Sequence, residues 1–180
     1  MKTKAELMDA QAVNRTLLRL THEVLEKHHG TKDLVIIGIR NRGDCLAKRM
    51  IHFIKEIEGT EVPLGILDIT LYRDDFQRFS ESAMVQETII PIDITNKKVV
   101  LVDDVLYTGR TIRAALDALI DFGRPAMIQL AVFVDRGHRE LPIKADYVGK
   151  NVPTADNEQV KVHVKEVDNE DSVVLVELKK

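Results

Sequence analysis

The chain has 180 residues, of which 20 are Val, 16 Ile and 18 Leu, while 31% are charged and the formal net charge is −3. So many aliphatics exclude a disordered chain, and the single cysteine, Cys45, excludes a disulfide scaffold. No apolar run approaches the ~18 residues of a membrane span, and the opening MKTKAELMDAQ lacks the apolar core of a secretory signal; a reduced, cytoplasmic protein with no membrane partner is expected.

In chain order, Val13, Leu17, Leu20 and Val24 recur at helical spacing and predict a helix over 4–28, with Thr3 and Glu6 at capping-box spacing and Gly30 as a stop. Leu34 to Ile39 reads as a buried strand, followed by the polar loop Arg40-Asn41-Arg42-Gly43-Asp44. A second helix is expected over 45–57, with Leu46, Met50, Phe53, Ile54 and Ile57 inward. Residues 62–71 read as a strand, and 72–87 as a long polar connection of the kind that forms a functional lid or extended hairpin. Residues 89–94 read as an edge strand because of Pro91. Then come a buried strand at 99–102, a turn over 103–110, a helix over 111–122 and a strand over 126–134. Beyond 135, polar loops alternate with short strands at 160–164 and 173–178.

Strands alternating with helices imply an α/β fold, a mostly parallel central sheet flanked by helices. Ligands of such sheets sit beyond the carboxyl ends of the strands. The loops at 40–44, 103–110 and 135–139 each follow a buried strand and should gather at that edge.

The segment VVLVDDVLYTGRT, residues 99–111, carries the strongest chemistry. Four aliphatics end in two adjacent carboxylates, and a Thr-Gly-Arg-Thr turn opens a helix. Gly109 permits close backbone approach, Thr108 and Thr111 supply hydroxyls, and a helix N-terminus presents free N–H groups to an anion. Asp103 and Asp104 suit hydroxyl donors or Mg²⁺ instead. Phosphate at one end and a diol or metal at the other describes a ribose 5-phosphate. An ordinary strand-loop-helix with a capping Asp104 leaves the turn unexplained. So does a receiver-like domain, which would carry its acids on the first strand.

This segment resembles the 5-phosphoribosyl-1-pyrophosphate (PRPP) motif of the type I phosphoribosyltransferases. GIRNRG, residues 38–43, looks like the pyrophosphate loop of that fold, and DITLYRDD, residues 68–75, leads into its flexible loop, with Tyr72 and Arg73 at the start. VDRGHRELPIKADYVGKNVPT, residues 134–154, is similar to the hood of one subfamily, the PyrR proteins, which are pyrimidine operon attenuators and uracil phosphoribosyltransferases. The likeness spans nearly the whole chain. It implies one phosphoribosyltransferase domain over 1–180, with a flexible loop at about 72–87 and a small hood mainly from 135–180 with an N-terminal contribution.

The resemblance further implies conversion of uracil and PRPP to UMP and pyrophosphate with Mg²⁺ and no organic cofactor. Asp103 and Asp104 would hold the ribose hydroxyls, directly or through the metal. Val105, Leu106 and Tyr107 would line the site, and Thr108, Gly109, Arg110 and Thr111 would take the 5-phosphate. Arg40, Asn41 and Arg42 would bind pyrophosphate, in a loop that often holds a non-proline cis peptide. Arg136 would border the uracil, with the segment at Val160 beside it. Relatives that use purines carry an acid where Tyr107 stands, so a purine substrate is disfavoured and no general base is assigned.

Other residues have plainer readings. Cys45 reads as a small buried residue, His28 and His29 as a solvated helix end, and Asp74 and Asp75 as an exposed loop. Arg15, Arg19 and His22, at i, i+4 and i+7, share one helix face with Lys27 nearby. Alone this is a solvated face. The PyrR resemblance makes these residues, with Lys144 and Lys150, candidates for binding the leader mRNA of the pyrimidine operon on a dimer, under the control of UMP or UTP. The alternative is an enzyme of uracil salvage without RNA binding.

Overall fold

The computed structural model describes residues 2–74 and 86–178, so residues 75–85 of the expected flexible loop, Asp75 among them, lie outside the described residues. The described elements run β1 (Lys2–Met8), α1 (Ala10–His28), β2 (Leu34–Ile39), α2 (Gly43–Glu58), β3 (Leu64–Leu67), β4 (Lys98–Leu106), α3 (Arg110–Ile120), β5 (Met127–Asp135), β6 (Tyr147–Asn151), β7 (Glu158–His163), α4 (Lys165–Asp168) and β8 (Ser172–Glu177).

Two sheets result. Strands β3-β2-β4-β5-β6 form one, parallel throughout. Strands β1-β8-β7 form a smaller antiparallel sheet. The α/β architecture with a mostly parallel central sheet is as expected from the alternation of strands and helices.

Alternate residues of each central strand feed two cores, because successive side chains leave opposite faces. Leu34 and Ile36 of β2, with Val100 and Val102 of β4, pack with the apolar stripes of α1 and α2 and with Val160, Val162 and Val173 of the small sheet. Val35, Ile37, Val99 and Leu101 pack instead with Ile112, Ala115 and Leu119 of α3. The α1 stripe of Val13, Leu17, Leu20 and Val24 is fully inward.

Several boundaries differ from the sequence reading. Residues 2–8 are a strand paired with β8, and α1 begins at Ala10. Thr3 and Glu6 therefore cap nothing; the Asp9 carboxylate accepts the Ala12 N–H at 2.7 Å instead. The strand expected over 62–71 spans only Leu64–Leu67 and ends in a 3-10 turn at Thr70–Tyr72, stabilised by the Asp68 carboxylate, which accepts the Thr70 N–H at 2.8 Å. The strand expected over 89–94 reduces to a single bridge between Ile89 and Ile66. Ile57 is exposed rather than inward. His28 is buried against the sheet, not solvated, and burial lowers its pKa below the usual histidine value.

Candidate active site

Polar segments leave the carboxyl ends of β2, β4 and β5 on the same edge of the parallel sheet. Two glycines let the first of them lie against the sheet backbone. A Cβ at Gly38 would stand 2.5 Å from the Cα of Asp44, and one at Gly43 would stand 2.6 Å from the carbonyl of Val102. Between them the Arg40–Asn41 peptide is cis, and Arg42 adopts φ 79°, ψ −40°. The Arg40 guanidinium reaches across to donate to Gln86 Oε1 at 3.0 Å and to the Glu87 carbonyl at 3.0 Å.

Strand β4 continues through Leu106, so Asp103 and Asp104 belong to the strand rather than to a turn. Asp103 is buried at 5% exposure and accepts the Asp104 N–H at 2.9 Å, while Asp104 accepts the Val105 N–H at 2.7 Å. Burial, then repulsion from Asp104, pushes the Asp103 carboxyl well above the usual carboxylate range. Burial raises Asp104 too, against the opposing pull of the Val105 N–H and the Arg42 charge. A carboxylate pair held this way gains most from a ligand that supplies hydroxyl donors or positive charge.

After β4 the chain turns at Gly109, φ 93°, and α3 begins at Arg110. This gives an anion cradle of backbone N–H groups and the Thr108 and Thr111 hydroxyls. The Arg110 side chain leaves the cradle and donates to Glu140 at 2.6 Å and Asp74 at 2.5 Å. Its backbone N–H donates to the Thr108 hydroxyl at 3.3 Å.

On the far side, Arg136 is buried at 5% exposure. It donates to Thr154 Oγ1 at 3.1 Å and to the Glu158 carbonyl at 2.7 Å, and its guanidinium lies 3.9 Å from the centroid of the Tyr107 ring. The ring face attracts the cation electrostatically and covers it from water. His138 meets the same ring edge-on, with centroids 5.9 Å apart.

Three cavities meet here. One of about 290 Å³ lies over the Thr108–Thr111 turn, with Arg73 and Asp74 on its rim. A second, of about 300 Å³, lies between the loop at 40–42 and Asp103, Asp104 and Thr111. The third, about 570 Å³, is lined by Arg42, Asp104, Tyr107, Arg136 and residues 159–163. Val105 lines all three, and Asp104 lines the latter two. The three loops expected at one edge do gather there.

Other sequence candidates lie elsewhere. Arg15, Arg19, His22, Lys27, Lys144 and Lys150 are exposed. Arg19 pairs with Glu23 and donates to the Gly149 carbonyl at 2.5 Å, and Lys150 donates to the Leu7 carbonyl at 3.0 Å. Cys45 is buried, and burial raises its thiol pKa, so it is a packing residue. Sequence reasoning did not single out Asp168, which lines the largest cavity and binds Arg42 through two hydrogen bonds. No local spacing links residues 126 apart in the chain.

Compared with known proteins, the chain matches the phosphoribosyl transferase domain family over residues 4–167. It is 62% identical over 177 residues to Bifunctional protein PyrR of Thermus aquaticus, covering 98% of each chain. It is 56% identical over 176 residues to Bifunctional protein PyrR of Pelotomaculum thermopropionicum, covering 98% of this chain and 97% of the other. Among solved structures it is similar to a hypoxanthine-guanine phosphoribosyltransferase from Bacillus anthracis, with a TM-score of 0.72 at 18% identity over 98% and 99% of the two chains. A hypoxanthine phosphoribosyltransferase from Staphylococcus aureus gives 0.70 at 23% identity, covering 98% of this chain and 93% of the other. These structures share the type I phosphoribosyltransferase fold with it.

Proposed function

This chain belongs to the PyrR family of phosphoribosyltransferases, and from that membership we propose both that it converts uracil and PRPP to UMP and pyrophosphate and that it attenuates transcription by binding the leader mRNA of a pyrimidine operon in response to uridine nucleotides. The observation that carries the catalytic half is the junction of three cavities at Val105, with Asp104 lining two of them. A ligand made of a 5-phosphate, a ribose, a diphosphate and a base needs three subsites around one sugar, and this edge supplies them.

The 5-phosphate sits in the Thr108–Thr111 cradle, held by N–H groups of the α3 N-terminus and the two threonine hydroxyls. Asp103 and Asp104 accept the ribose hydroxyls. Diphosphate lies against residues 40–42, where the Asn41 and Arg42 N–H groups and the Arg40 side chain face developing negative charge; the Arg40 N–H itself is taken by the Leu67 carbonyl. Uracil occupies the largest cavity between Tyr107, Arg136 and the Val160 segment. As the bond to pyrophosphate breaks, the sugar acquires oxocarbenium character. The chain's contribution is preorganised donors at the leaving group and exclusion of water from the cation. Arg73, which follows Tyr72, lines both the 5-phosphate and the diphosphate cavities.

Mg²⁺ fits this donor set in part. The two carboxylates offer hard oxygen ligands, yet among the described residues no group of three His, Cys, Asp or Glu could hold a metal ion. Asp103 and Asp104 would hold the ion on the protein side, and when bound with PRPP it would neutralise charge on the leaving group.

For RNA, Arg15, Arg19, His22 and Lys27 present exposed donors along α1, and Lys144 and Lys150 are exposed as well. A homodimer in the cytoplasm, in which two such faces adjoin, provides the surface. Chain 1–180 acts as one domain, the β1-β8-β7 sheet serving with 135–180 as the hood. Two assays test the whole: conversion of labelled uracil and PRPP to UMP, and a gel shift of the leader RNA with and without UMP. UMP formation with no preference for leader RNA over an unrelated hairpin at physiological salt leaves uracil salvage as the sole function.

A further inference from the structure

We propose that Asp168 is a positioning residue for phosphoribosyl transfer: its bidentate pair with Arg42 clamps the diphosphate loop to the far wall of the base cavity. The proposal rests on the transfer reading above. Arg42 donates from Nε to Asp168 Oδ2 at 3.0 Å and from Nη2 to Oδ1 at 2.7 Å. Asp168 is itself fixed, because Oδ2 also accepts the Val164 N–H at 2.9 Å. The Arg42 guanidinium in turn holds the Asp168 carboxyl below the usual range.

Two observations give this pair a task beyond holding the fold. Arg42 sits at φ 79°, ψ −40°, a region that a residue with a Cβ rarely enters, in the turn that follows Arg40 and Asn41. Such a conformation persists only where surrounding contacts dictate it. Glycine would adopt it freely, but glycine has no side chain to reach Asp168. Moreover, the Nε and Nη2 edge of Arg42 is the one an arginine offers to a phosphate, and here it faces a carboxylate. Arg42 thus serves the diphosphate subsite chiefly through the shape it gives the main chain, while its side chain joins that subsite to the base cavity, which both residues line.

A neighbouring tie provides the control. Arg49 of α2 donates to Glu166 at 2.8 and 2.6 Å and to Asp171 at 2.7 Å, joining the same two segments while lining none of the three cavities.

The test is steady-state UMP formation, with calorimetric titration of Mg²⁺-pyrophosphate, on the full chain and its variants. Asp168→Ala should raise both KM for PRPP and Kd for pyrophosphate about tenfold, with a folded thermal transition retained. Arg42→Ala should lose at least as much, and Arg42→Gly clearly less. Adding Asp168→Ala to Arg42→Gly should change KM for PRPP by under about twofold. Arg49→Ala should lower the thermal midpoint while KM for PRPP stays within about twofold of the parent. Equal losses in Arg42→Gly and Arg42→Ala would make the Arg42 charge the ligand and overturn the proposal. So would additive losses in the double variant, or a rise in KM for Arg49→Ala matching that of Asp168→Ala. A parent protein that makes no UMP removes the transfer reading instead, and the pyrophosphate titrations across the same variants still decide the clamp.

Discussion

The sheet edge and the outer face of α1 handle charge in opposite ways. At the edge, Asp103 is buried, Asp104 is half-buried, and Arg136 is sealed under an aromatic ring. Each such group is costly to desolvate, so its position is dictated by backbone donors and by the ligand it awaits. Along α1, the charged ends stand in solvent, and Arg19 is shared between Glu23 and the Gly149 carbonyl. The first arrangement suits one ligand in one pose. The second suits a polyanion whose phosphates are recognised by summed charge, each contact contributing modestly and yielding to salt. One chain therefore holds two electrostatic regimes, and substitutions should separate them.

The largest expected effect is at the edge. Asp104→Asn should reduce UMP formation by roughly 10²–10³-fold, as losing one preorganised electrostatic group does elsewhere. RNA binding without nucleotide should stay within about twofold, as read by gel shift. Equal loss of both would mean that the variant has unfolded and that the two regions are not separable. Gly109→Ala should follow, because its φ of 93° disfavours a side chain and its Cβ would press to 3.3 Å from Ile143. KM for PRPP should rise about tenfold, with roughly 1–2 kcal/mol lost in denaturant unfolding. On the other face, Arg19→Ala with Lys27→Ala should weaken leader-RNA binding and lower the slope of log K against log salt by about 2, leaving UMP formation unaltered. An unchanged slope would place the RNA elsewhere.

The smallest effect concerns neither face. His28, at the end of α1, is buried beneath the sheet, and burial, with Lys98 and Lys27 nearby, lowers its pKa against an opposing influence of Gln129. The unfolded chain then binds more protons than the folded one below about pH 6.5, so stability declines as pH falls from there toward the lowered value. His28→Gln should flatten this part of the pH profile of the unfolding midpoint. A profile identical to the parent would show that His28 titrates alike in both states.

The catalytic edge was more legible in the sequence than the small sheet was. VVLVDDVLYTGRT announces itself because buried β-branched residues stop abruptly at two acids and a glycine turn, all within one local segment. β1 gave no such signal. Its residues are mostly exposed, and Thr3 and Glu6 imitated a helix cap that Asp9 in fact provides. β6 went unread because Gly149 and Lys150 break the pattern of a buried strand; Gly149 is needed there, since a Cβ would stand 2.3 Å from the Phe133 carbonyl. His28 looked solvated because its burial comes from a sheet that lies far along the chain. The Arg42–Asp168 pair was invisible for the same reason, as a contact made by tertiary folding alone.

Val105 has a bearing on ligand design. Because one residue lines all three cavities, a fragment seated in any one of them lies next to the other two. Short tethers across Val105 would turn weak fragments into a single molecule whose second anchor binds at high effective concentration. The same geometry makes position 105 a sensitive place for resistance, since a bulkier residue there would crowd every such compound along with the natural substrates.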